Sequence, residues 1–195
     1  VAPMFLVSGP EMVIAARQCG VIGSFPAPNA RTIQVLDEWL KQITEAVQRE
    51  PDCPGNWSLN LVVHHTYSRL REELELVQKY KPPIVITALG SPRHVVDLVQ
   101  GYGGIVIADV SSIKYAKKAA CIGVDGLALV SAGAGGHTGT LSPFTFIPAV
   151  RDFFDGIIVY AGGIGTGEGI AAAEVLGADL VYMGTRFIAT DESRA

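Results

Sequence analysis

Short, continuous apolar runs recur along the chain, and each is followed by a turn cluster and then by a stretch with helical spacing. The runs are Ala2 to Ser8, Val21 to Ser24, Ser58 to His64, Ile84 to Leu89, Ile105 to Val110, Leu127 to Ser131, Ile157 to Tyr160 and Leu180 to Met183. Runs of this kind are strands covered on both faces, as in a parallel sheet flanked by helices. Between them the spacing predicts helices over Met12 to Arg17, Arg31 to Arg49, Tyr67 to Tyr80, Arg93 to Gln100, Ile113 to Ile122, Phe146 to Phe154 and Gly169 to Leu176. In the longest, Ile33, Leu36, Leu40, Ile43 and Val47 share one face. Ser91 and Pro92 suit the cap and first turn of the Arg93 helix, whereas Pro148, falling in the first turn of the Phe146 helix, leaves the start of that helix open.

Eight strand signals alternating with seven helices point to a (β/α)8 TIM barrel. The helix expected after the eighth strand is missing, because the chain stops at Ala195. The expectation is therefore one barrel domain over residues 1–195, truncated after strand eight and partial at both ends, since Val1 already lies in a strand. A doubly wound open sheet is the alternative, because strand order is not written in the sequence. If the covering helix is absent, apolar surface is left over and favours association into a homo-oligomer.

Composition narrows the function classes. A formal charge of −4 provides no basic footprint for nucleic acid. No apolar run approaches about 18 residues, so no membrane span is expected. Cys19, Cys53 and Cys121 are odd in number and show no zinc-ligand spacing, which fits a reduced, cytoplasmic setting without a metal site.

The stretch Leu127 to Gly139, LALVSAGAGGHTG, is a strand that delivers His137 into a glycine-rich loop. A Cβ at Gly135 or Gly136 would keep a flat ligand off the main chain. From this stretch alone, a ligand loop and a plain turn with an incidental histidine read equally well. In a barrel the loops after strands seven and eight commonly bind phosphate. Here they carry Gly162, Gly163, Gly184 and Thr185, whose N–H groups and hydroxyl suit one phosphate.

Taken together, the Ala2-Pro3-Met4 start, Asn60, the Ala134-Gly135-Gly136-His137 loop, Ala161-Gly162-Gly163 and Met183-Gly184-Thr185-Arg186-Phe187 with Ala189-Thr190 resemble the FMN-dependent nitronate monooxygenases, formerly 2-nitropropane dioxygenases. The resemblance implies a (β/α)8 barrel, non-covalent FMN and oxidation of alkyl nitronates, or nitroalkanes, by molecular oxygen. It places Pro3 and Met4 along the flavin ring, Asn60 at its polar edge, and Gly135 and Gly136 against it. Gly162, Gly163, Gly184 and Thr185 would hold the phosphate, and His137 would face the substrate as an acid, base or hydrogen-bond donor.

Two positions depart from the family pattern. Gly133 and Ala134 stand where better-studied members carry an acidic residue, and Asp109 stands where another branch has a lysine beside the cofactor. Flavin enoyl reductases using NAD(P)H resemble the same histidine loop. A flavin-free phosphate-binding barrel isomerase or lyase, and a non-catalytic remnant, are further alternatives.

Other polar residues read as structural. His64 and His65, taken as the end of a strand, should point to opposite faces. His94 is expected in solvent, Trp39 and Trp57 in packing, and Glu45, Glu50, Glu72, Glu73 and Glu75 on outward helix faces. Neither Ser131 nor Ser142 sits in a nucleophile elbow.

Overall fold

The computed structural model describes every residue from Val1 to Ala195. Seven parallel strands form one sheet in sequence order: β1 Gly23–Pro26, β2 Trp57–Val62, β3 Ile84–Ala88, β4 Ile105–Val110, β5 Gly126–Val130, β6 Ile157–Ala161 and β7 Leu180–Tyr182. The helices are α1 Pro10–Gln18, α2 Ile33–Arg49, α3 Leu70–Tyr80, α4 Arg93–Gln100, α5 Ile113–Ile122, α6 Pro143–Arg151, α7 Gly167–Val175 and the single turn α8 Thr185–Ile188.

Strand residues divide into two separate apolar layers. Phe25, Leu59, Val85, Val106, Leu127 and Ile158 face the helices, whereas Ile84, Ile86, Ile107, Ala128 and Val159 pack against one another on the other face. That face is the lumen of a curled sheet. Leu36, Leu40 and Ile43 of α2 are fully buried in the outer layer, each worth roughly 1.5 to 3 kcal/mol. Thr32 caps α2 by accepting from Val35 N at 3.3 Å.

The two edges of the sheet meet at the start of the chain. The Val1 amine donates to Ile22 O beside β1 at 2.6 Å, and Ala2 N donates to Met183 O beside β7 at 3.0 Å. The architecture is thus a parallel barrel in which residues 1–2 bridge the last gap. It excludes the open doubly wound sheet.

Seven strands replace the expected eight because Ala2 to Ser8 is not one. Pro3 has no N–H to donate, and Val7 N and Ser8 N both turn back to Met4 O at 3.2 and 3.1 Å. Asn29 holds the turn, donating to Met4 O at 2.9 Å and Ser8 O at 2.8 Å. Two helix starts also differ. Pro92 itself is the N-cap of α4, with no side-chain bond from Ser91. Pro143 takes the first position of α6, which its fixed φ suits, leaving Pro148 inside the helix rather than in its first turn.

Candidate functional site

All strands being parallel, the loops after their carboxyl ends gather on one face of the barrel, and the sequence-selected loops are among them. The loop after β5 is tied at its base by Ala132 N to Leu141 O at 2.9 Å and by Thr138 Oγ1 to Ser131 O at 3.1 Å. Gly135, Gly136 and His137 form its exposed crest. A Cβ on Gly135 or Gly136 would meet nothing within 4 Å, so these two present bare main chain to open space.

The loop after β6 lies beside that crest's base. Gly163 has φ +72°, and a Cβ there would stand 3.4 Å from Gly133 O. The Tyr160 hydroxyl donates to Gly162 O at 2.7 Å and fixes the loop's first carbonyl. After β7, Gly184 abuts the chain start: a Cβ on it would meet Met4 Sδ at 3.4 Å and Ala2 Cβ at 3.8 Å. The N–H groups of Gly162, Gly163, Gly184 and Thr185 donate to no backbone acceptor. Adjacent loops with free main-chain donors are the local chemistry of an anion cradle. Pro3 lies in the same segment as Met4, between the edges of the sheet.

Beneath the loops, the lumen is not purely apolar. Asn60 pairs in register with Ile86, Asp109 with Ala128, and Tyr182 with Ala161, so all three side chains share the inward face. Ser24 and Ser58 also share it, their hydroxyls 2.5 Å apart. Asn60 Nδ2, Asp109 Oδ1 and the Tyr182 hydroxyl are buried without a hydrogen-bond partner. Part of Asp109 and of Tyr182 meets solvent, but these polar atoms do not. Burial pushes the Asp109 carboxyl up to about 7, with the nearby Tyr182 hydroxyl pulling it partway back, although the pair does not close a hydrogen bond within 3.5 Å. Burial likewise holds the Tyr182 phenol well above its ordinary value. Orphaned polar atoms are rare and mark a place where a ligand, water or ion completes the set.

Sequence reasoning selected Asn60 and Asp109 but missed Tyr182. The signal was present, because a hydroxyl-bearing aromatic two residues before a glycine in a strand of the barrel faces the lumen whenever its neighbour Val181 packs outward.

Two expectations are overturned. Strand β2 ends at Val62, so alternation does not govern His64 and His65, whose rings lie 4.2 Å apart, both exposed. Glu73 is fully buried instead of solvated. It accepts from the Tyr67 hydroxyl at 2.6 Å and pairs with Arg69 at 3.3 Å, while Arg69 also donates to Ala30 O at 2.8 Å. Burial raises the Glu73 carboxyl, with Tyr67 and Arg69 opposing. No three His, Cys, Asp or Glu side chains converge as a metal site, and no helix is long and apolar enough to cross a membrane.

Glycine-rich loops with free main-chain donors thus stand at the carboxyl ends of the strands, above a lumen that holds unpartnered polar atoms. The chain belongs to the nitronate monooxygenase family, whose model matches residues 27–195. It is 29% identical to a (3aS,4S,5R,7aS)-5-hydroxy-7a-methyl-1-oxo-octahydro-1H-indene-4-carboxyl-CoA dehydrogenase of Rhodococcus jostii over 96% of this chain and 50% of that protein. It is 34% identical to a nitronate monooxygenase of Neurospora crassa over 54% of this chain and 30% of that protein. The structure of a nitroalkane oxidase from Streptomyces ansochromogenes superposes with a TM-score of 0.88 at 23% identity, covering 100% of this chain and 66% of that one, which establishes the shared barrel fold. The chain spans about half the length, or less, of the curated relatives it matches.

Proposed function

We propose that this chain is the cofactor-binding barrel of an FMN-dependent oxidoreductase that oxidises alkyl nitronates, or nitroalkanes, with molecular oxygen. The observation that carries the reading is the pairing, within a nitronate monooxygenase family member, of free main-chain donors in two adjacent loops with unpartnered polar atoms in the lumen below. A phosphate needs the first, and the polar edge of a flavin ring needs the second.

In this reading Gly162, Gly163, Gly184 and Thr185 bind the phosphate, with the Thr185 hydroxyl as an added donor. Pro3 and Met4 flank the ring, Asn60 and Asp109 meet its polar edge, and the bare main chain at Gly135 and Gly136 lies against it. His137, one step further along the crest, orients the nitro group and stabilises its negative charge. Bound flavin would supply the electron transfer, and the protein supplies position and charge.

A second reading is oxidation of a carboxyl-CoA thioester. It is favoured by the Rhodococcus relative, which matches 96% of the chain where the Neurospora enzyme matches 54%. There His137 would hold or move a proton of a neutral substrate.

A visible spectrum of the purified protein tests the cofactor: bands close to those of free FMN are expected, and a colourless protein that takes up no added FMN overturns the reading. Nitronate-dependent oxygen uptake then separates the two substrates. Turnover of a carboxyl-CoA thioester without nitronate oxidation would transfer the assignment to the second.

A further inference from the structure

We propose that Asp109, beside Tyr182, meets the flavin ring as a neutral acid, so that flavin retention is favoured by acid and lost as Asp109 ionises. The inference rests on the flavin reading above and adds to it a proton-controlled contact.

Three polar atoms face one lumen without partners: Asn60 Nδ2, which can only donate; Asp109 Oδ1; and the Tyr182 hydroxyl. The polar edge of an isoalloxazine is an imide, with an N–H between two carbonyl groups. A protonated carboxyl matches an imide at two points, accepting from the N–H and donating to a carbonyl. A carboxylate can only accept, and it would face the carbonyl oxygens without a donor. Asn60 and Tyr182 add donors for the remaining acceptors.

The surroundings decide which form is present. Neighbours on the inward face are Ile86 of β3, Ala128 of β5 and Val159 of β6, all apolar. Asn60 of β2 is neutral, and Tyr182 of β7 is the one titratable group close enough to act on Asp109. No lysine, arginine or histidine acts on it. A buried carboxylate without a cation is costly, so the carboxyl keeps its proton to unusually high pH, about 7. Tyr182 pulls in the opposite direction, because its hydroxyl favours the ionised form.

The test is ring binding against pH, read by quenching of flavin fluorescence on the whole apo-protein. Riboflavin is the probe, since it has no phosphate to titrate, and FMN is run beside it. For wild type, the riboflavin Kd should be flat below about pH 6 and rise roughly tenfold per pH unit above about 7, the signature of one linked proton. Asp109→Asn, which keeps the shape and cannot ionise, should give a flat Kd from pH 6 to 9. Tyr182→Phe should move the break to higher pH, which a residue with only a packing role would not do. A wild-type profile parallel to that of Asp109→Asn, or a break unmoved by Tyr182→Phe, overturns the proposal and leaves the flavin reading standing. Folded wild type that binds neither riboflavin nor FMN at any pH overturns both. Should Asp109→Asn fail to fold, the Tyr182→Phe shift still decides the matter.

Discussion

Gly163 stands directly against Gly133: a Cβ on the first would lie 3.4 Å from the carbonyl oxygen of the second, and its φ of +72° is one that side chains rarely adopt. The loop after β6 thus lies in ordinary contact with the loop after β5, and it is the positive φ at both positions, +93° at Gly133, that calls for glycine. Gly163→Val should strain the backbone by about 1 to 3 kcal/mol and abolish FMN retention while helical circular dichroism stays largely intact. Full flavin occupancy in that variant would remove Gly163 from the phosphate cradle.

Asp109 also makes stability depend on pH. Its folded-state pKa of about 7 lies above the ordinary carboxyl value of 3.8, so the native state binds more protons than the unfolded chain between those limits. Stability attributable to this group is full below about pH 4 and falls as pH rises through about 7. Relative to wild type, Asp109→Asn should therefore gain stability progressively from pH 4 to 7 and level off above, by on the order of a few kcal/mol. Urea melts across that range check it, and parallel wild-type and variant curves would contradict the buried, uncompensated carboxyl.

Glu73 is a buried carboxyl group held by Tyr67 and by Arg69, which is partly solvated. Glu73→Ala leaves the tyrosine hydroxyl and the guanidinium without their partner and should cost about 3 kcal/mol, near the lower end for a broken buried pair. Glu73→Gln retains an acceptor for Tyr67 and should cost clearly less. Chemical denaturation of the two variants measures the difference, and equal values would mean that charge alone matters there.

His137 at the exposed crest is predicted to act on substrate rather than to hold FMN. His137→Asn should keep flavin bound and lose only modestly in nitronate oxidation, since a nitronate is already an anion. Neutral nitroalkanes or thioesters, which require proton movement, should fall by roughly 10² to 10⁴. Steady-state rates with matched nitronate and nitroalkane pairs make the comparison. Flavin loss would move the histidine to the cofactor, and unchanged turnover of every substrate would make it a surface residue.

Where burial is two-sided, the elements were legible. β4 at Ile105–Val110, α4 at Arg93–Gln100 and α5 at Ile113–Ile122 fall where their apolar patterns and flanking glycines put them. The failures share a cause, which is that polarity and hydropathy do not report partners. Ala2 to Ser8 is as apolar as a strand, but Pro3 and the Asn29 clamp bend it. Glu73 looks like its solvated neighbours Glu72 and Glu75 until Tyr67 and Arg69 close over it. The glycine loops could be found from composition, because stripping side chains is itself a signal. The approach of Tyr182 to Asp109 could not, since it depends on how far the sheet curls between β4 and β7.

The bridge made by the first two residues has a bearing on the order of folding. Every ladder from β1 to β7 joins strands that are neighbours in sequence, so the sheet can grow one unit at a time as a trough. Closing the cylinder is different, because it brings Ala2 to Met183. Loop-closure entropy and high contact order predict that this seam zips last and parts first. The same seam holds Met4 against Gly184, so any breathing of the cylinder would widen the mouth at the proposed cradle. In native-state hydrogen exchange the Ala2 amide should open at a lower free energy than the amides of β3 and β4, and added FMN should slow it more than theirs.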